Sequence, residues 1–262
     1  MSELLATRWR ALRRQRRTAL IPYVTAGYPD RAATVEFLAC AADYGADVLE
    51  LGVPWSDPVA DGPVIQASSH AALRGGMSVA RVLELLAGTS PSVPVVLFSY
   101  LNPILAYGVA RFARDAAAAG AAALLVVDVP VDEDPETEAA LAEAGIPLVR
   151  LVAPTSAGER LRRIAAASRG FVYLIARLGV TGEGLGAGSE LAVRVASVRE
   201  VTDLPVAIGF GISDPAQAVE AARCADGVVI GSAVVRRMQS GASQALEWLR
   251  QVREALDRKE AS

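Results

Sequence analysis

Eight short apolar runs, each separated from the next by a stretch of helical periodicity, restrict this chain to a parallel sheet wrapped by helices. The runs are rich in β-branched residues and occupy 19–25, 47–52, 95–99, 124–128, 148–152, 170–176, 206–209 and 227–231. Helical spacing fills 31–44, 64–86 with a break at Gly75-Gly76, 109–119, 135–144, 157–167, 190–201, 215–223 and 243–258. Pro29-Asp30, Thr155-Ser156 and Ser213-Asp214-Pro215 signal helix starts, while Gly45, Gly120 and Gly145 close the helices they follow. Eight strand-then-helix units with no composition break between them predict the α/β class. They fit a (β/α)8 TIM barrel better than a doubly wound open sheet. The expected organisation is a single TIM-barrel domain over 1–262, in which residues 1–17 form an extra N-terminal helix lying under the bottom of a barrel built from 18–262.

Composition narrows the function classes. The 26 basic and 29 acidic residues give a formal net charge of −3, without the global electrostatic footprint of a nucleic-acid binder. The exception is the cluster Arg8, Arg10, Arg13, Arg14, Arg16 and Arg17, which reads as a solvated first helix with Trp9 and Leu12 turned inward. The longest apolar run, 116–127, is cut by Gly120 and falls short of the roughly 20 residues that span a bilayer, so no transmembrane segment is expected. The apolar 19–24 run is interrupted by Pro22 and too short for a secretory signal, which predicts a cytoplasmic address. Cys40 and Cys224 read as buried free thiols.

In a barrel of this kind chemistry is placed at the C-terminal ends of the strands. Three glycine clusters fall there: Gly179-Val180-Thr181-Gly182-Glu183-Gly184, Gly209-Phe210-Gly211 and Gly231-Ser232-Ala233, after the sixth, seventh and eighth runs. Backbone N–H groups freed by glycine, with helix N-termini behind them, describe a phosphate cradle. The run from Glu50 to Pro63 places an acid inside a strand. Such a Glu is either ion-paired or held with a raised pKa, and no neighbouring basic residue in the sequence offers a pair. A carboxyl in that state suits proton transfer near neutral pH. Asp57 and Asp61 lie in a loop stiffened by Pro54, Pro58 and Pro63; either faces the same substrate or caps the helix that begins near Pro63. Lys259, in the C-terminal tail, is the only lysine, which disfavours Schiff-base chemistry. His70, the only histidine, reads as an ordinary helix residue, and a metal site is not expected. Proton transfer by carboxylates on a phosphorylated substrate remains.

The motifs Glu50-Leu51-Gly52-Val53-Pro54, Ser56-Asp57-Pro58 and Asp61-Gly62-Pro63, with Gly179-Val180-Thr181-Gly182, Gly209-Phe210-Gly211 and Gly231-Ser232-Ala233, resemble the tryptophan synthase alpha subunit family. The segment from Pro22 to Pro29, Tyr100-Leu101-Asn102-Pro103 and Asp128-Val129-Pro130 extend the resemblance over nearly the whole chain. It implies a (β/α)8 barrel that cleaves indole-3-glycerol phosphate to indole and glyceraldehyde 3-phosphate, a retro-aldol reaction needing neither metal nor organic cofactor. It assigns Glu50 to the general acid and base steps, Asp61 to accepting the indole N–H and stabilising developing positive charge, and Tyr173 to a place close to Glu50. Gly182, Gly211, Gly231 and Ser232 match phosphate contacts. Tyr23, Phe98, Tyr100, Leu125 and Leu151 correspond to the indole pocket. The stretch from Arg177 to Gly188 matches a closing lid whose Thr181 meets the loop aspartate. It implies a partner as well, a tryptophan synthase beta subunit in an alpha2beta2 heterotetramer, with Trp55, Asp57 and Pro58 near the contact. The alternatives are a stand-alone indole-3-glycerol phosphate lyase, a non-catalytic ligand-binding barrel that regulates a partner enzyme, and a sugar-phosphate isomerase or epimerase.

Overall fold

Period-two alternation in the strands sorts side chains between two apolar environments, and this sorting closes the barrel. In the computed structural model, residues 3–175, 187–209 and 211–260 are described. The elements run in the order α1 (Glu3–Gln15), β1 (Ala19–Thr25), α2 (Arg31–Cys40), β2 (Leu49–Gly52), α3 (Pro63–Arg74), α4 (Val79–Thr89), β3 (Val95–Ser99), α5 (Leu101–Tyr107) and α6 (Val109–Ala118). They continue with β4 (Ala123–Val126), α7 (Pro135–Glu143), β5 (Arg150–Val152), α8 (Gly158–Ala167), β6 (Val172–Ile175) and α9 (Ala187–Arg199). The chain then completes the barrel with β7 (Val206–Gly209), α10 (Pro215–Ala222), β8 (Gly227–Ile230), α11 (Ser232–Met238) and α12 (Ala242–Glu260).

All strand pairs are parallel, in the order β4-β3-β2-β1-β8-β7-β6-β5. The ring is completed between β4 and β5 by a single bridge, Leu124 to Leu148. Its two hydrogen bonds are Leu124 N–H to Pro147 O and Val149 N–H to Leu124 O, both 2.9 Å. Leu20, Leu49, Leu97, Leu124, Val172, Ile208 and Val228 face outward and meet the helices in one large core. Ile21, Val48, Val96, Leu125, Val149, Tyr173, Ala207 and Val229 face inward and fill the barrel. With both faces dry, the strands read as continuous apolar runs.

Helix starts follow capping chemistry. Asp30, Asp134 and Asp214 accept the Ala33, Thr137 and Gln217 N–H groups at 2.8, 3.0 and 2.9 Å, and Pro135 and Pro215 sit in the first turns. Thr155-Ser156 behaves differently from expectation: α8 is capped at Ala157 without a side-chain bond, and Ser156 Oγ accepts the Ala153 N–H instead. The 64–86 stretch divides at the expected Gly75-Gly76 break into α3 and α4. Gly76, at φ +81°, turns the chain between α3 and α4, a conformation that favours glycine. α5 and α11 have no counterpart among the expected helices.

α1 closes the bottom of the barrel. Leu5, Trp9 and Leu12 are buried among the inward residues of the strand starts, with the Trp9 and Phe171 rings 5.5 Å apart. The arginine cluster is only partly solvated, in contrast to the sequence reading. Arg8 bonds the fully buried Asp47, and Arg17 and Arg253 approach the same carboxylate at 3.5 Å, while Asp47 also accepts the Leu20 N–H at 2.9 Å. A buried carboxylate just before β2 requires this compensation, and it anchors α1 and α12 to the barrel floor.

Candidate active site

The inward side of β2 carries Glu50, in register with Tyr23 of β1 and Val96 of β3. Glu50 is 1 % exposed, and its Oε1 has no hydrogen-bond partner among the described residues. Of the two states open to a strand glutamate, the structure therefore takes the second. Desolvation pushes the carboxyl from 4.5 up to about 8, so it holds its proton at neutral pH.

Aromatic rings occupy the space around it. Tyr23 meets Phe98 edge to face with centroids 5.4 Å apart. The Tyr173 phenol is raised by burial first and then by the neighbouring charges of Glu50, Asp61 and Tyr23. These rings explain two glycines. A Cβ on Gly52 would stand 2.1 Å from the Tyr23 hydroxyl, and one on Gly209 would stand 2.0 Å from the Tyr173 hydroxyl. Gly209, grouped from sequence with a phosphate cradle, is thus required by the tyrosine packed over it. Leu125 is fully buried in the same interior, and Leu151 packs half-buried against it.

Asp61 enters from the loop between β2 and α3. Neither it nor Asp57 caps α3: the cap is Gly62, without a side-chain bond. Asp61 Oδ2 accepts the Tyr100 hydroxyl at 3.0 Å, and that hydroxyl oxygen in turn accepts the Ala60 N–H at 3.0 Å. Burial pushes the Asp61 carboxyl from 3.8 up to about 6, against the lowering effect of the Tyr100 bond. Two carboxyls in one mouth are thereby separated in protonation. At pH 7 Glu50 is mainly protonated and Asp61 mainly ionised.

Gly211 follows β7, at φ +88°, and Gly231 and Ser232 follow the neighbouring β8, where Gly231 caps α11. Thr181, Gly182 and nearly all of the 177–188 stretch lie outside the described residues. On the β2–α3 loop Trp55 is half-buried and Asp57 is exposed, accepting the Ser56 hydroxyl at 2.5 Å. Pro58 is buried; the outermost apolar side chain there is Val59, 84 % exposed.

Sequence reasoning missed the groups that hold this loop. Gln66 on α3 donates from Nε2 to Asp61 O at 2.9 Å and to Pro58 O at 3.3 Å. One turn later His70, read from sequence as an ordinary helix residue, donates from Nε2 to Ser56 O at 2.9 Å. Thr25 and Ser68 share a buried 2.7 Å hydrogen bond that ties α3 to β1. Polar side chains at helical spacing look alike whether they face solvent or a loop, so no signal in the sequence singled these out.

Residues 9–262 match the family model described as tryptophan synthase alpha chain. The chain is 45% identical over 238 residues to the tryptophan synthase alpha chain of Geobacter sulfurreducens, covering 90% of each. It is 48% identical over 240 residues to that of Halorhodospira halophila, covering 88% of this chain and 86% of the relative. Among solved structures it resembles tryptophan synthase from M. tuberculosis, with a TM-score of 0.88 and 37% identity over 98% of this chain and 99% of that one. It also resembles the alpha subunit from Legionella pneumophila str. Paris, with a TM-score of 0.90 and 32% identity over 97% and 98%. With the carboxyl pair at the mouth of a parallel eight-stranded barrel and a match along nearly its whole length, the chain belongs to the tryptophan synthase alpha chain family.

Proposed function

We propose that the chain cleaves indole-3-glycerol phosphate to indole and glyceraldehyde 3-phosphate, the alpha reaction of tryptophan biosynthesis, with Glu50 and Asp61 as its working carboxyls. The observation that carries the assignment of roles is the contrast between a buried Glu50, raised to about 8 and with no partner for Oε1 among the described residues, and a Tyr100-bonded Asp61, raised to about 6. Glu50 gives its proton to the ring carbon that bears the side chain. The positive charge that develops at the ring nitrogen is met by the Asp61 carboxylate, which accepts the indole N–H. The Glu50 carboxylate then takes the hydroxyl proton of the glycerol carbon as the carbon–carbon bond breaks. The aldehyde forms, the bonding electron pair returns to the ring, and Glu50 is protonated again. Tyr173 packs close to Glu50 and the substrate, and Tyr23, Phe98, Tyr100, Leu125 and Leu151 line the indole pocket. Gly182, Gly211, Gly231 and Ser232 hold the phosphate, with Thr181 on the loop that closes over it.

The partner in this reading is a tryptophan synthase beta subunit in an alpha2beta2 heterotetramer, meeting the loop that carries Trp55, Asp57 and Pro58. The exposed Val59 at the tip of that loop supports a contact there. Among the described residues no helix is long and apolar enough to cross a membrane, and a phosphorylated biosynthetic substrate fits a cytoplasmic enzyme. The family match over 9–262 supports one barrel domain that includes the second half of α1. The curated relatives are named as alpha chains, which does not favour the stand-alone lyase. Indole release by the purified chain, measured with and without a beta subunit, tests the assignment. Slow release alone and strong stimulation by the partner are expected; full-rate release alone would favour the stand-alone lyase, and no release in either case would remove the catalytic assignment.

The packing of Tyr173 over Gly209 gives a further expected result. In Gly209→Ala the new methyl displaces the ring, at a cost of about 1–3 kcal/mol to stability. Turnover should fall about tenfold or more through misplacement beside Glu50. Urea denaturation and steady-state kinetics check both.

A further inference from the structure

The loop that presents Asp61 is held from two sides. From the turn between β3 and α5, Tyr100 grips the carboxylate itself and the Ala60 N–H. From α3, the Gln66 amide spans the turn, its two N–H groups reaching Asp61 O at 2.9 Å and Pro58 O at 3.3 Å. Pro58 O also accepts the Asp61 N–H at 3.0 Å, so the amide closes a ring around residues 58–61. α3 is a firm base for this reach. Gln66 N–H bonds Gly62 O at 3.0 Å, and two residues further on Ser68 is buried against Thr25 of β1. His70, one turn along the same helix, holds Ser56 O before the turn. A loop of this kind, stiffened by proline but otherwise able to pivot, has its position set by the side chains that fix its carbonyls.

We propose that Gln66 is a positioning residue for the alpha reaction, its side-chain amide setting the place of the Asp61 carboxylate by clamping the carbonyls of Pro58 and Asp61. The inference rests on the assignment of Asp61 made above. Gln66 touches no substrate atom in this role; it acts only through the loop. Removing both donors leaves two carbonyls facing an apolar or acidic side chain and lets the 58–61 turn relax away from the ring nitrogen it must meet.

The test uses the full chain with indole-3-glycerol phosphate and the variants Gln66→Met and Gln66→Glu, both of similar size and lacking the N–H donors. Each should lower kcat about 10- to 100-fold, the scale of a misplacement of about an ångström at a catalytic group, with KM changed less than about threefold because the phosphate grip lies on other loops. The decisive arm repeats Gln66→Met in an Asp61→Asn background. There the positioned group is already lost, and the second substitution should add less than about threefold. A full additional loss in that background, or wild-type kcat in both single variants, would overturn the proposal. An equal fall in folding stability and in substrate binding with kcat retained would overturn it as well, assigning Gln66 a merely structural part. If Asp61→Asn alone keeps the wild-type rate, the assignment of Asp61 fails, and this inference goes with it.

Discussion

Glu50→Gln is expected to lower the turnover of indole-3-glycerol phosphate by about 10²- to 10⁴-fold with little change in KM. That is the range for removing a positioned proton donor from a reaction that needs one. The substitution is isosteric, and the carboxyl it replaces has an oxygen with no partner among the described residues, so the packing of Tyr23 and Tyr173 around it is kept. A steady-state comparison of the two proteins decides it, and a variant within about threefold of wild type would remove Glu50 from the chemistry. The same variant makes a stability prediction of opposite sense. Between 4.5 and about 8 the folded chain holds on Glu50 a proton that the unfolded chain has released, so stability contributed by this group is full below 4.5 and is lost as pH rises through about 8. Gln never ionises. Glu50→Gln should therefore equal wild type in stability near pH 4.5 and exceed it progressively toward pH 8 and above, measured by denaturant unfolding across that window. A catalytic group kept at a cost to stability behaves in this way.

Asp61→Asn should cost about 10²- to 10³-fold in kcat, the usual effect of removing one fixed electrostatic partner from developing charge. Asn keeps an oxygen that can accept the Tyr100 hydroxyl, so the loop stays in place and the loss reports charge rather than geometry. The pH profile separates the two carboxyls. Activity of wild type should rise as Asp61 ionises through about 6 and fall as Glu50 gives up its proton through about 8, a bell with its top near neutral pH. In Asp61→Asn the acid limb should disappear while the alkaline limb remains; in Glu50→Gln the residual activity should show the reverse. An unchanged acid limb in Asp61→Asn would show that another group sets it.

Much of the barrel was legible because its determinants are local. Apolar runs of strand length, aspartate and proline at helix starts and glycine at helix ends each carry their own physical reason, and the strand cores fall where alternation placed them. Boundaries were the weaker part. The β2 and β5 ladders start two residues later than the apolar runs: beside the start of the first run the Leu20 N–H goes to the Asp47 side chain, and Leu148 joins β4 by a lone bridge. Glycine was the ambiguous letter. Gly209 looks like a phosphate-loop glycine in sequence and is a packing requirement of Tyr173 in space.

The sequence by itself determined that Glu50 would be buried on a strand and that no sequence neighbour would neutralise it, because side-chain period and residue type suffice for both conclusions. Residue type and spacing left the two loop aspartates equivalent; the resemblance pointed to Asp61, and only the tertiary structure supplied the physical reason it turns inward. Asp57 and Asp61 are chemically equal and four residues apart. The choice depends on Tyr100, which follows β3 and meets the Asp61 carboxylate across 39 residues, a contact that forms only once β2 and β3 lie side by side.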